Sequence, residues 1–150
     1  MRAVIQRVTQ ASVSIDGREK AKINNGLLIL LGIEEQDNKE DIDWLCRKTT
    51  QLRIFDDSEG VMNLSIQDIK GEIMVISQFT LHAKVKKGNR PSYIKAARPE
   101  TAIPLYEKFI RTISTYIEPK IQTGEFGAEM QISLTNDGPV TIIIDTKNKE

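Results

Sequence analysis

The sequence predicts a mixed α/β fold: a strongly twisted, barrel-like, mostly antiparallel β-sheet with two main α-helices packed against it. Three observations carry this expectation. Apolar or alternating runs of strand character recur at Arg2–Ile15, Leu27–Ile33, Glu72–Leu81 and Val140–Ile144. Two other stretches place their apolar residues at helical spacing instead. Turn signals join neighbouring strands as hairpins, which favours antiparallel pairing, while the helices supply crossovers. With 150 residues, the chain fits a single domain spanning residues 1–150.

Arg2–Ile15 opens the chain as a long strand in which Ala3 and Ile5 give way to Ala11, Val13 and Ile15, with Val4 and Val8 out of phase. A β-bulge explains such a change of register. Asp16-Gly17 turns the chain back through Glu19–Ile23, and Asn25-Gly26 turns it again into Leu27–Ile33, whose unbroken apolar run reads as a central strand. Asp37 or Asn38 caps a helix running to about Leu52, with Ile42, Leu45, Cys46, Thr49 and Leu52 as its buried stripe and Trp44 off it. Asp56–Gly60 is an acidic, solvated turn without calcium-loop spacing. The Glu72–Leu81 strand follows, then a poorly periodic stretch from His82 to Arg98. Pro99 and Glu100 open a second helix, to about Ile117, facing inward through Ile103, Tyr106, Phe109 and Ile113. A link at Thr123–Ala128 leads to Met130, Ile132 and Leu134 as a strand. Thr135–Pro139 turns, Val140–Ile144 closes a hairpin, and Thr146–Glu150 is a frayed tail.

Composition narrows the function classes. Hydrophobic content of 39% with 28% charged residues fits a soluble globular protein, and the strongest apolar run, Gly26–Ile33, is too short to span a bilayer. The first residues lack the basic-then-apolar layout of a secretory signal. A single cysteine, Cys46, makes no internal disulfide, so the expected location is the cytoplasm. One His and one Cys exclude ordinary His/Cys zinc sites, and no metal or cofactor is expected, although carboxylate-held magnesium stays open. Net charge is zero, yet His82–Arg98 carries Lys84, Lys86, Lys87, Arg90, Lys95 and Arg98 without one Asp or Glu. That stretch is either a solvated basic loop or a phosphate-binding surface.

The polar insert Ser77-Gln78-Phe79-Thr80 stands out at the end of an apolar strand, where packing alone asks for Val or Leu. Its hydroxyls and amide bond neighbouring backbone or face a pocket. A Ser77–His82 pair fails on parity if the strand persists, and Thr80 and His82 would lie about 6.7 Å apart along one face. No nucleophile elbow, phosphate loop or dinucleotide fingerprint is present. A Ser-Lys or Thr-Lys pairing with the basic loop has no spacing signature. The chain is short of conventional catalytic groups, so in an enzyme backbone donors or the substrate must do much of the chemistry. Arg7, inside the first strand, reads as snorkelling to solvent. Gly138-Pro139 reads on its own as a plain trans turn, since only about 5–6% of X-Pro bonds in folded proteins are cis. An RNA-binding domain and a small esterase acting through Thr80 both remain open on the residues alone.

Two motifs taken together carry a resemblance. Ser77-Gln78-Phe79-Thr80-Leu81 and Asn136-Asp137-Gly138-Pro139-Val140-Thr141, with the opening Met1–Val8 and the Gly124–Met130 stretch, resemble the D-aminoacyl-tRNA deacylases, also known as D-tyrosyl-tRNA deacylases. The resemblance implies a homodimeric editing enzyme whose active sites lie at the subunit interface. Its substrate is D-aminoacyl-tRNA, bound by the aminoacylated acceptor end. It implies that Ser77, Gln78, Phe79 and Thr80 line the catalytic pocket, with the Phe79 N–H steadying the ester carbonyl. It further implies a cis Gly138–Pro139 bond reaching the partner's pocket to exclude L side chains, Arg7 holding that loop, and Phe126 and Met130 flanking the adenine. The ribose 2′-hydroxyl of the terminal adenosine then assists cleavage. Lys84, Lys86, Lys87 and Arg90 become candidate tRNA-phosphate contacts.

Overall fold

The structure, a computed structural model, describes residues 1–150. Strands β1 (Arg2–Ile15), β2 (Arg18–Ile23) and β3 (Gly26–Gly32) precede helix α1 (Lys39–Gln51). A short hairpin of β4 (Phe55–Asp56) and β5 (Met62–Leu64) leads to β6 (Glu72–Ser77) and a 3₁₀ turn, Phe79–His82. Helix α2 (Pro99–Ile113), β7 (Gln122–Thr123) and β8 (Gln131–Asp145) complete the chain.

Strand β1 organises the main sheet. It pairs antiparallel with β8 along one edge, and on the other edge with β3 through Arg2–Val8 and with β2 through Ala11–Ile15. Beyond β3 the pairing is parallel, to β6 and then β7. The six-stranded sheet curls until β2 approaches β7, where the Lys20 ammonium donates to the carbonyls of Thr123 (3.0 Å) and Gly124 (2.6 Å). The mixed α/β, barrel-like expectation therefore holds, with a parallel portion around β6.

Period-two geometry explains the run of apolar residues in β3, because both its faces are covered. Leu27, Ile29 and Leu31 join Ile42 and Leu45 of α1 and Phe109 and Ile113 of α2 in the larger core. Leu28 turns the other way into a smaller cluster with Val8, Val13, Ile23, Met74 and Ile76, inside the curl of the sheet. Asn38 caps α1 by accepting the Glu40 N–H, while Asp41 accepts the Asn38 N–H, a reciprocal capping box.

Several expectations are corrected. Strand β6 stops at Ser77 instead of running to Leu81. The Gln78 N–H still donates to the Leu31 carbonyl (2.8 Å), but the chain then turns, and Leu81 N–H returns to the Gln78 carbonyl (3.3 Å). Helix α2 ends at Ile113, short of Ile117, and Ala102 occupies its buried face while Ile103 lies exposed. Residues 135–139 make no hairpin. Both flanking segments belong to β8 and pair with the same strand, Thr141 with Gln6 and Asn136 with Val8, so the residues between them bulge out.

The C-terminal residues are anchored, not frayed. Thr146 is buried, its N–H donating to the Met1 carbonyl and its hydroxyl accepting from the Met1 amine, which also pairs with Asp37. Lys147 reaches Asp41 at 2.8 Å. Burial alone raises the Asp41 pKa, but hydrogen bonds from Lys147, Thr146 and the Asn38 N–H win and hold it at about 2. Trp44 is half-buried, with the Lys149 ammonium 4.7 Å from its ring centroid.

Candidate functional site

A cleft of about 290 Å³ opens where β6 gives way to the 3₁₀ turn. Ser77, Gln78 and Phe79 form one wall, Phe126–Ala128 and Met130 the opposite one, and Leu31, Ile33, Ala97 and Ala102 contribute to its lining. The switch from strand to turn makes this wall polar. Ser77 ends the strand, and Gln78 (φ −144°, ψ 82°) caps the turn with no side-chain hydrogen bond to its backbone. The Phe79 N–H, first in the turn, is therefore left without an acceptor inside it. The Gln78 amide instead donates to the Thr80 hydroxyl oxygen at 2.5 Å. Thr80 is half-buried and does not line the cleft.

The opposite wall is braced from the core. The Phe126 ring meets Tyr106 edge-on, with centroids 5.7 Å apart. Tyr106 is fixed in turn by donating its hydroxyl to the Val75 carbonyl (2.9 Å), and burial pushes its pKa up to about 12. It remains a neutral donor at physiological pH.

Arg7 does not snorkel. Its side chain is 6% exposed, with Nη1 donating to the Ile54 carbonyl (2.7 Å) and Nε to the Asp137 carbonyl (3.1 Å). The carboxylates of Asp137 (3.2 Å) and Asp56 (3.4 Å) complete its shell. The guanidinium ties the β8 bulge to the segment after α1. Within that bulge the Gly138–Pro139 bond is cis, not the trans turn read from the residues alone, and both residues are exposed. Gly138 sits at φ +121°, where a Cβ would fall 2.9 Å from Val140 Cγ2 and 3.1 Å from Arg7 Nη2.

The structure does not gather all the sequence-derived residues at one place in this chain. Arg7 pairs with Leu27 at one end of β3, whereas Leu31, which pairs with Ser77, lies four residues away, about 13 Å along the strand. Neither Gly138 nor Pro139 lines the cleft.

Lys84, Lys86, Lys87 and Arg90 are all exposed on a loop pinned by reciprocal bonds between Lys84 and Ser92 (2.8 and 3.0 Å). His82 is buried, its ring nitrogens make no hydrogen bond, and Nδ1 lies 3.9 Å from Glu34. In the 3₁₀ turn it sits two residues from Thr80, on a different side of the turn, so the parity argument from a continued strand no longer applies. Sequence reading missed Ala97 and Ala102. Their signal was size, since small side chains beside the start of α2 leave room for the cleft.

Comparison with known proteins fits this geometry. Residues 4–145 match the family described as D-Tyr-tRNA(Tyr) deacylase. The chain is 65% identical over its whole length, and over the whole of each relative, to D-aminoacyl-tRNA deacylases of Bacteroides fragilis (strain YCH46) and Flavobacterium psychrophilum. Among solved structures, it resembles one titled "c-Myc DNA Unwinding Element Binding Protein" with a TM-score of 0.92 and 40% identity, covering 97% of this chain and 98% of that one. A structure titled as a "probable eukaryotic D-amino acid tRNA deacylase" shares the fold at a TM-score of 0.79 and 16% identity, over 95% and 97% of the two chains. With a family match across nearly its full length, the chain belongs to the D-Tyr-tRNA(Tyr) deacylase family.

Proposed function

We propose that this protein is a cytoplasmic editing hydrolase that cleaves the ester of D-aminoacyl-tRNA to free D-amino acid and tRNA. The observation that carries the reading is the cleft walled by Ser77–Phe79 and Phe126–Met130, in a chain that matches deacylases from end to end. The cleft is apolar enough to take an adenine and an amino-acid side chain. The Phe79 N–H, first in the turn and without an acceptor inside it, is the donor assigned to the charge that develops on the ester carbonyl. Thr80 lies outside the cleft lining but accepts the Gln78 amide, and through Gln78, which does line the cleft, it is assigned the orienting of substrate or water. The nearby basic loop meets the phosphates.

Selection for handedness is assigned to a second copy of the chain. Strand β8 has one edge on β1 and the other free, and Gly138 and Pro139 project from it. In a homodimer, this bulge enters the partner's cleft. Its carbonyls gather the α-amino group, and its main chain fills the space an L side chain would need. Such a wedge rejects by clash, and each tenfold of discrimination takes about 1.4 kcal/mol. Glycine has no side chain to exclude.

The test is hydrolysis of matched substrates. D-aminoacyl-tRNA is expected to be cleaved, its L counterpart spared, and glycyl-tRNA cleaved to a measurable extent. Hydrolysis of neither enantiomer would leave only an RNA-binding domain, and equal hydrolysis of both a generic esterase. Glycyl-tRNA that survives enzyme concentrations clearing the D-substrate would remove the exclusion account.

The basic loop gives a separate expectation. Neutralising Lys84, Lys86 and Lys87 together should weaken tRNA binding and flatten its dependence on salt, because each phosphate contact releases counterions. Binding titrations between about 50 and 200 mM salt measure the slope. An unchanged slope moves the tRNA footprint to another face.

A further inference from the structure

Four of the large apolar side chains that the fold leaves exposed fall within sixteen residues: Phe79, Val85, Tyr93 and Ile94. Phe79 is 55% exposed and Tyr93 39%, yet they touch, edge to face, with centroids 5.0 Å apart and planes at 78°. The pair is positioned, not loose. Ser92 is bonded both ways to Lys84, and the Tyr93 carbonyl accepts the Ala96 N–H at 3.0 Å. The surrounding segment, His82–Arg98, has six cations and no carboxylate. Glu35, which meets this segment from the β3–α1 connection, is engaged by the Arg98 N–H (2.7 Å) and the Thr101 hydroxyl (2.9 Å).

Exposed aromatic faces among unpaired cations are complementary to one class of partner in particular. Single-stranded nucleic acid presents π-faces and a phosphate at every step. A purely apolar protein surface would leave the cations without counter-charge. Continuity decides where the strand lies. Phe79 borders the cleft and also meets Tyr93, so Tyr93 stands one ring beyond the cleft, within reach of the nucleotide next to one seated there.

We propose that Tyr93, braced on Phe79 and flanked by Val85 and Ile94, is a stacking platform for a base of the single-stranded 3′ end of tRNA just upstream of the terminal adenosine. This rests on the function proposed above for the same cleft, and it assigns Tyr93 a positioning role, not a chemical one. Stacking tolerates any base, so the platform adds affinity without sequence choice.

The test uses the full chain and an uncharged, fluorescently labelled ACCA tetranucleotide, with adenosine as a competitor for the cleft alone. Wild type is expected to bind ACCA more tightly than adenosine. Tyr93→Ala should weaken ACCA about tenfold while leaving its salt slope unchanged, and Tyr93→Phe should stay within about twofold of wild type. Equal weakening of ACCA and adenosine would show that Tyr93 only props Phe79, and would overturn the platform. So would a slope that collapses with affinity, which reports a displaced loop, or a shift to a smaller species in sedimentation with ACCA binding intact, which reports a contact between copies. Since uncharged RNA needs no cleavage, ACCA bound through Tyr93 by a protein that spares D-aminoacyl-tRNA would keep the platform and refute the hydrolase.

Discussion

D-aminoacyl-tRNA ending in 2′-deoxyadenosine should be cleaved at least about a hundredfold more slowly than the same substrate with its 2′-hydroxyl, at saturating enzyme in single-turnover measurements. The reason is what surrounds the cleft. Ser77 and Gln78 line it, but no imidazole or carboxylate is hydrogen-bonded to either, and Thr80 is engaged by an amide, which cannot serve as a base. The sole histidine is buried without a hydrogen bond on the far side of the turn. Cys46 is buried in the core, and burial drives its pKa far up, which removes it as a nucleophile. The Phe79 N–H proposed for the ester carbonyl would stabilise charge but moves no proton. A positioned acid or base is worth about 10²–10⁴ in rate, so removing a substrate hydroxyl in that role costs at least the lower figure. By the same logic, Thr80→Ala should cost less than the deoxy substitution in the same assay. Equal rates for the two substrates, or a trapped acyl-Thr80 ester, would return the chemistry to a side chain.

Arg7→Met should lower stability by about 2–4 kcal/mol and collapse discrimination between D- and L-aminoacyl-tRNA. The guanidinium satisfies two backbone carbonyls and neutralises two carboxylates from a nearly buried position. Each buried acceptor left unpaired costs about 1–3 kcal/mol. For a chain of this size the loss lowers Tm by roughly 6–12 °C, read by thermal denaturation. The functional consequence is separate. Without Arg7 the bulge carrying Gly138 and Pro139 loses its tie to Ile54 and Asp56, and the proposed wedge, free to yield, should no longer exclude. The ratio of D to L hydrolysis should fall at least about tenfold. Arg7→Lys, which keeps charge but not the two-pronged geometry, should fall between. A variant that loses stability yet keeps its full D-over-L ratio would detach Arg7 from selection.

Local chemistry was legible where its partner was local. The Asn38 cap, the Asp16-Gly17 turn and the apolar stripe of α1 all act within a few residues, and each stands where the sequence places it. Long-range partners were not legible. Asp137-Gly138-Pro139 has the composition of a hairpin turn, and nothing nearby reveals that both flanks pair with β1, more than a hundred residues earlier. Arg7 reads as solvent-bound until the Ile54 and Asp137 carbonyls arrive from distant segments. The tail looks free because Met1, Asp37 and Asp41, which hold it, lie at the other end of the chain. The end of β6 misled for a different reason. Phe79 and Leu81 continue the alternation of a strand, and only the geometry of Gln78 shows the chain leaving it.

The claim that one copy filters for the other is tested most directly by mixing two damaged proteins. Gly138→Ala places a Cβ against Val140 and Arg7 at a positive φ and should spoil the wedge. Phe79→Pro removes the N–H assigned to the ester carbonyl and should abolish cleavage. If the chain pairs as proposed, the two chains unfolded together and refolded should form mixed dimers in which one site has an intact turn from one copy and an intact wedge from the other. Such mixtures should regain D-specific hydrolysis, at about half the normal activity per mixed dimer, although neither parent has it. A mixture that forms mixed dimers but stays as defective as its parents would place turn and wedge in the same chain and contradict the account.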